Sequence, residues 1–154
     1  MVLQTRALSI AAIALLVTVE AFATPTIKEG AYRVDWNRKV RDLCVDVFTN
    51  EDLAARDWQA VMALDGAICK LSAVREGKRE SSWIGKCNVP GRGTVLNIEH
   101  KVSVKVHADG SFDLLTVMSG DQQATIPVHG NPLITDTGKA AKCTKEQDFF
   151  RPWR

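Results

Sequence analysis

The clearest pattern in the chain is an alternation of apolar and polar residues from Leu96 to His107. Five of the six even-numbered residues from Leu96 to Val106 are apolar, and none of the six odd-numbered residues from Asn97 to His107 is. His100 is the one polar residue on the apolar side. A period of two residues predicts a β-strand with one face in the core and the other in water.

The turn after this strand predicts its pairing register. Ala108-Asp109-Gly110 fits a three-residue hairpin loop with Gly110 in the left-handed conformation, which places Val106 opposite Phe112. The same register pairs Val104 with Leu114, Val102 with Thr116 and His100 with Met118. A two-residue turn would place Val106 opposite Asp113, so the apolar pattern favours the longer loop.

Shorter runs rich in β-branched and aromatic residues predict further strands. These runs cover residues 30–36, 40–48, 68–74, 81–89 and 122–128. Asn37-Arg38-Lys39 predicts a hairpin turn between the first two runs, and Pro127 predicts an edge or a bulge in the last run. Gly130-Asn131-Pro132 and Asp136-Thr137-Gly138 predict loops.

One helix is predicted over about residues 50–64, with Thr49 as its N-cap and Asp65-Gly66 as its end. Its apolar stripe consists of Ala54, Trp58, Val61 and Met62. One helix and about seven or eight strands predict a mainly β protein of the α+β kind. Because its longest strand must bend within a small domain, we expect a strongly curved antiparallel sheet or an open barrel.

The first 23 residues predict a secretory signal peptide. Arg6 supplies a positive charge, an apolar run extends from Ala7 to Val19, and Ala21-Phe22-Ala23 fits a cleavage site near Ala23-Thr24. This run is shorter than the roughly 20 residues that cross a bilayer, so we expect a periplasmic or secreted protein without a transmembrane segment after cleavage. The predicted parts are the signal peptide (1–23), one β-rich domain (24–143) and an aromatic, basic C-terminal tail (144–154).

Export into an oxidising compartment predicts two disulfides. The four cysteines are Cys44, Cys69, Cys87 and Cys143. Cys69 and Cys87 are equally distant from Lys78, so a hairpin about that residue favours a Cys69–Cys87 bridge and leaves Cys44 for Cys143. A two-residue turn at Gly77-Lys78 would place Lys86 opposite Cys69 unless a bulge intervenes. The other two pairings, Cys44–Cys69 with Cys87–Cys143 and the crossed pattern, stay open.

Composition and motifs exclude several classes of function. The chain has 20 Lys and Arg against 18 Asp and Glu, a net charge of +2. That excess is too small for a general nucleic-acid binder or a polybasic membrane anchor. No G-x-S-x-G, H-E-x-x-H or C-x-x-C motif occurs. We therefore expect a protein that is not an enzyme, with no catalytic residues, no metal site and no cofactor.

Histidines and the tail remain as candidate sites. His100 is either a core histidine or part of an internal ligand cavity lined by His100, Val102, Val104 and Met118. We expect His107 on the water face and His129 in a loop, with no neighbour at metal-ligand spacing. The tail either folds back over the sheet edge or docks a partner. Its candidate docking residues are Phe149, Phe150, Arg151, Trp153 and Arg154.

The spacing of these features resembles the exported bacterial family known as domain of unknown function 3617. The resemblance covers residues 30–143 and rests on Gly30-Ala31-Tyr32, Cys44, Thr49-Asn50-Glu51, Cys69, Trp83, Cys87 and Cys143. It implies a periplasmic β-rich domain and no catalytic residues.

Two functions are consistent with these features. The first is a non-enzymatic periplasmic binding or structural module. Its partner would be a small apolar or amphipathic ligand held near His100, or an envelope protein held by the tail. The alternative is a small protein inhibitor or immunity-type factor that docks through its loops or its C-terminal tail.

Overall fold

Seven antiparallel strands form one sheet with one helix at its side in the computed structural model, which describes residues 24–56, 68–91 and 93–151. In chain order the elements are β1 (Gly30–Trp36), β2 (Lys39–Val45), α1 (Val47–Ala55), β3 (Ile68–Arg75), β4 (Glu80–Pro90), β5 (Val95–Val106), β6 (Phe112–Gly120) and β7 (Ala124–Pro132). The strand order is β2-β1-β7-β6-β5-β4-β3. Because β2 and β3 do not pair with each other in the described chain, the sheet stays open, and the predicted fold class is confirmed.

The hairpin of β5 and β6 has the predicted register. Val106 lies opposite Phe112 and His100 lies opposite Met118. The loop closes through a hydrogen bond from the His107 amide to the Ser111 carbonyl, 2.8 Å, and Gly110 has a φ of 88°. This confirms the three-residue loop, in which the positive φ favours glycine.

The turn between β1 and β2 is also confirmed. Trp36 pairs with Lys39, which leaves Asn37 and Arg38 as the two turn residues. Their φ angles are 50° and 67°. Two positive φ angles match a type I′ turn, whose twist suits the right-handed twist of the two strands.

The prediction of a loop at Gly130-Asn131-Pro132 is wrong, because these residues continue β7 beside β1. Gly130 pairs with Val34, and Pro132 pairs with Tyr32. Glycine occurs here for packing, because a Cβ atom on Gly130 would overlap the ring of Phe112. The glycine at this position, which is typical of a loop, is therefore explained by a close contact inside the sheet.

Pro127 lies in the half of β7 that pairs with β6 alone. The pairing of β7 with β1 covers residues 128–132, whereas its pairing with β6 extends to Ala124. Proline lacks an amide donor, so it suits a strand that has a strand neighbour on one side only.

The helix begins earlier than predicted. Asp46 is the N-cap, because its carboxylate accepts a hydrogen bond from the Thr49 amide at 2.9 Å. Thr49 returns the bond by accepting from the Asp46 amide at 3.2 Å, which completes a capping box. The prediction of Thr49 as the N-cap is wrong, since the chain enters the helix directly from β2.

The described part of α1 ends at Ala55, where the next residue, Arg56, adopts the left-handed conformation. The rest of the predicted helix, with Trp58, Val61, Met62 and Asp65-Gly66, lies outside the described residues. So does the predicted signal peptide, residues 1–23.

One face of the sheet forms the core. Leu53 of α1, Ile27 of the N-terminal segment and Phe150 of the tail cover it, and all three are fully buried. Asn50 holds the N-terminal segment through hydrogen bonds with the Ile27 amide and carbonyl, 2.8 and 2.9 Å. The core therefore closes with residues from both ends of the domain.

Two disulfides have the favoured pairing. Cys69 and Cys87 lie directly opposite each other on β3 and β4, and Cys44 is bonded to Cys143. The β3–β4 register shifts between Ser72 and Arg75, where Ala73 has a φ of 48°. The loop that follows covers residues 76–79, so it is longer than a two-residue turn at Gly77-Lys78, and the bulge lies between this loop and the disulfide.

We expect the two disulfides to stabilise the fold unequally. Their sequence separations are 99 residues for Cys44–Cys143 and 18 residues for Cys69–Cys87. Loop-closure entropy predicts a loss of about 4.7 kcal/mol for the Cys44→Ser/Cys143→Ser variant and about 3 kcal/mol for Cys69→Ser/Cys87→Ser. Urea denaturation of both variants under non-reducing conditions measures this difference, and equal losses would contradict it.

Gly130→Ala should lower the free energy of unfolding by about 1–3 kcal/mol, because the new methyl group overlaps the Phe112 ring. The smaller side chain in Phe112→Leu should reduce this cost. A double-mutant cycle measured by urea denaturation tests the coupling. Purely additive effects would show that the ring is not the obstacle.

Candidate functional site

The C-terminal segment, defined here as residues 143–151, lies along the outer edge of β2. The Cys44 amide donates to the Asp148 carbonyl at 2.8 Å, and the Phe150 amide donates to the Cys44 carbonyl at 2.7 Å. These bonds form a short parallel bridge between Cys44 and Phe149. The segment therefore covers part of an otherwise open sheet edge.

Phe150 anchors this segment in the core. It is fully buried, and its ring centroid lies 5.7 Å from Trp36 and 5.4 Å from Phe112. The Phe150 carbonyl accepts a hydrogen bond from the Thr49 hydroxyl at 2.8 Å. The tail thus folds back on the sheet, and Phe150 serves as a core residue.

Arg151 forms a bidentate ion pair with the N-cap of α1. Its Nη1 and Nη2 atoms lie 2.6 and 2.9 Å from the two carboxylate oxygens of Asp46. The hydrogen bond from Arg151, followed by those from Thr49, lowers the pKa of Asp46 from 3.8 to about 2, against the opposing effect of burial. The ion pair therefore joins the end of the C-terminal segment to the start of the helix.

Two phenylalanines pack beside the Arg151 guanidinium. Its central carbon lies 5.1 Å from the ring centroid of Phe149 and 5.8 Å from that of Phe48. Both rings are more than half exposed, 53% for Phe149 and 57% for Phe48. Trp153 and Arg154, the other predicted docking residues, lie outside the described residues.

A pocket of about 460 Å³ opens between the β1–β2 hairpin and the C-terminal segment. We call it the hairpin–tail pocket. Half-buried Trp36 contributes apolar surface above the buried side chains of Val34 and Leu43, while Asp148, Phe149 and Arg151 form the wall on the C-terminal side. Lys39 and Arg41 also line it, and both are exposed.

Strand geometry explains why these side chains share one face. Trp36 pairs with Lys39, and Val34 pairs with Arg41. Side chains of directly paired residues project from the same side of a sheet, and alternate residues along one strand do so as well. The two cations therefore border the apolar surface formed by β1.

A second depression, of about 300 Å³, lies over β4, β5 and β6. Ile84, Leu115 and Val117 contribute apolar surface, and the Lys101 side chain borders it. Val102, from the predicted ligand cavity, also lines this depression. This pocket is smaller, and the aromatic residue in its described lining, Trp83, is only 1% exposed.

The predicted cavity residues occupy the buried face of β5 and its neighbour β6. Val102 and Val104 belong to the core, and Met118 packs against it. His100 is 1% exposed, and its burial lowers its pKa, which favours the neutral imidazole at pH 7. This buried position is consistent with both interpretations of His100, as a core histidine and as a residue that lines a cavity.

The other two histidines meet at one carboxylate. Asp113 lies 2.6 Å from His107 Nε2 and 2.6 Å from His129 Nδ1. The prediction of His129 in a loop is wrong, because it belongs to β7 and pairs directly with Asp113. Burial acts to raise the pKa of Asp113, but hydrogen bonds to both histidines outweigh it and leave the pKa lowered.

Sequence analysis missed both the hairpin–tail pocket and the cluster of His107, Asp113 and His129, because each depends on tertiary contacts. The first joins the β1–β2 hairpin to the C-terminal segment, and the second joins Asp113 of β6 to His129 of β7 and to His107 of the β5–β6 loop. The β6–β7 register brings Asp113 to His129, and the pairing of the C-terminal segment with β2 brings that segment beside Lys39 and Arg41. Among the described residues, no three His, Cys, Asp or Glu side chains are arranged to hold a metal ion.

Comparisons with protein-family models, curated proteins and solved structures found no match for this chain. Within residues 24–56, 68–91 and 93–151, no helix is both long enough and apolar enough to cross a membrane. The two disulfides are consistent with an oxidising compartment.

We expect the ion pair of Asp46 to make stability depend on acid pH. Because its folded pKa, about 2, is below its usual value of 3.8, its contribution is present above about pH 4 and is lost as the pH falls toward 2. The shift corresponds to about 2 kcal/mol of stability. Because the Asp46 side chain is four-fifths buried, solvent screening reduces this contribution only slightly. Urea denaturation between pH 2 and about 5 measures this loss.

Asp46→Asn should remove that part of the pH dependence while keeping a good N-cap residue. The matched control is Asp42→Asn, which breaks the exposed ion pair with Arg33 at 2.9 Å. We expect a smaller change in the control because solvent screens an exposed pair. An unchanged pH profile in Asp46→Asn would contradict the assignment.

Proposed function

We propose that this protein is a non-enzymatic binding module that works in the periplasm or outside the cell, and that it binds a small amphipathic ligand in the hairpin–tail pocket. The observation that carries the proposal is the pocket itself. Its volume, about 460 Å³, is within the range of about 300–1,000 Å³ typical of small-molecule sites. It combines apolar surface with a few charged groups, which is also typical of such sites.

The pocket wall is held in place before any ligand arrives. Cys143 fixes the start of the C-terminal segment, the backbone bonds of Cys44 fix its middle, and Arg151 fixes its end. A preorganised wall reduces the entropy lost on binding. This rigidity supports a binding role for the pocket.

Two features support a location in the periplasm or outside the cell. The predicted signal peptide and two disulfides agree with an oxidising compartment. Membership of the exported family known as domain of unknown function 3617 stays a prediction, and it would imply the same location.

The alternative function is a small protein inhibitor or immunity-type factor. Phe48 and Phe149 favour it, because two exposed aromatic residues beside Arg151 resemble the aromatic and arginine-rich centre of a protein interface. In that case both rings would contact the partner, whereas only Phe149 lines the pocket.

Binding of 8-anilino-1-naphthalenesulfonate, an amphipathic fluorescent probe, tests the proposal. We expect one bound probe per chain at pH 7. Phe149→Ala should weaken binding by about tenfold, because it removes an aromatic wall. Fluorescence titration gives the stoichiometry and the dissociation constant.

The matched control is Phe48→Ala. Phe48 is as exposed as Phe149 and also lies beside Arg151, but it does not line the pocket. We expect its affinity for the probe to equal that of the unchanged protein. Absence of binding, or equal weakening in both variants, would overturn the pocket as the ligand site.

A further inference from the structure

The cations of the hairpin–tail pocket differ in whether a carboxylate already neutralises them. The charge of Arg151 is neutralised by Asp46 in a bidentate ion pair. Lys39 and Arg41 form no ion pair with any residue that the structure describes. Their positive charges are therefore available to a bound molecule.

The acidic groups near the pocket do not cancel these charges. Asp148 is the one carboxylate in the described lining, which it shares with Lys39, Arg41 and Arg151. The neighbouring Asp42 is engaged by Arg33, with two nitrogen–oxygen distances of 2.9 and 3.1 Å. A positive excess therefore remains at the pocket, and it attracts an anion and repels a cation.

The positions of the cations also impose a shape on the ligand. Lys39 lies beside the apolar surface of Trp36, with which it pairs across the hairpin, and Arg41 pairs with the buried Val34 next to it. Leu43 extends the apolar surface along β2, and Phe149 closes it on the other side. A ligand would therefore place its charged group near the hairpin and its apolar body toward the C-terminal segment.

We propose that the hairpin–tail pocket selects a small amphipathic anion, a molecule with one carboxylate, sulfonate or phosphate group on a compact apolar body. This inference rests on the proposed function and adds the charge of the ligand to it. Lys39 and Arg41 hold the anionic group, and Trp36, Leu43 and Phe149 contact the apolar body. Two available cations match one small anionic group and are far fewer than the phosphate contacts of a typical nucleic-acid site.

Three probes that share a naphthalene ring separate the charge from the apolar body. They are naphthalene-2-sulfonate, 2-naphthalenemethanol and 2-naphthylmethylamine, which are anionic, neutral and cationic at pH 7. We expect isothermal titration calorimetry on the oxidised protein to give an affinity about tenfold higher for the sulfonate than for the alcohol, and the lowest affinity for the amine. Added salt should reduce the preference for the sulfonate.

The Lys39→Gln/Arg41→Gln variant should bind the sulfonate and the alcohol with equal affinity. The control is Lys70→Gln/Lys105→Gln, which removes the same charge from exposed positions of β3 and β5 outside the pocket. We expect this control to keep the tenfold preference. Thermal unfolding followed by circular dichroism establishes that both variants are folded.

Each outcome bears on the proposal in a different way. Equal binding of all three probes, or a preference for the amine, overturns the selection of an anion and leaves the binding module intact. Equal loss of preference in both variants overturns the assignment to Lys39 and Arg41. Absence of binding for every probe overturns the proposed function as well.

Discussion

The carboxylate of Asp46 joins three parts of the molecule at one point. It follows β2, it caps α1 through the Thr49 amide, and it binds the Arg151 guanidinium with both oxygens. A charged, geometrically matched pair of this kind is stronger than a neutral hydrogen bond. Because Arg151 follows Phe150 directly, the pair also keeps the Phe150 ring in the core, where it contacts Trp36 and Phe112.

The hairpin–tail pocket depends on the same arrangement. Its floor is part of the sheet, and its wall is a segment held by the Cys44–Cys143 bridge, by backbone hydrogen bonds with Cys44 and by the Asp46–Arg151 pair. The covalent bond limits how far the segment can move, and the ion pair fixes its direction. We therefore expect oxidation of the cysteines to support the pocket as well as stability, which would connect an oxidising compartment to the proposed function.

Local signals were sufficient for much of the fold. Gly110 and the alternation along β5 predicted the β5–β6 register, and the symmetry of Cys69 and Cys87 about Lys78 favoured the correct disulfides. The wrong N-cap and the wrong loop prediction share a cause, because in both cases a residue type common in one local structure occurs in a different one. Thr49 is a common N-cap, but Asp46 occupies that position because β2 ends just before it. Gly130 resembles a loop residue, but it makes room for Phe112 inside the sheet.

The sequence by itself determined the strand periods and most of the turns, because each depends on residues close together in the chain. The count of four cysteines, together with predicted export, gave the number of disulfides. The tertiary structure alone decided the candidate site. Lys39 and Phe149 are 110 residues apart in sequence (149 − 39), and they share a pocket because the C-terminal segment pairs with β2. Such a contact depends on which strands and segments lie next to each other in the sheet, and no local pattern of residues encodes that arrangement.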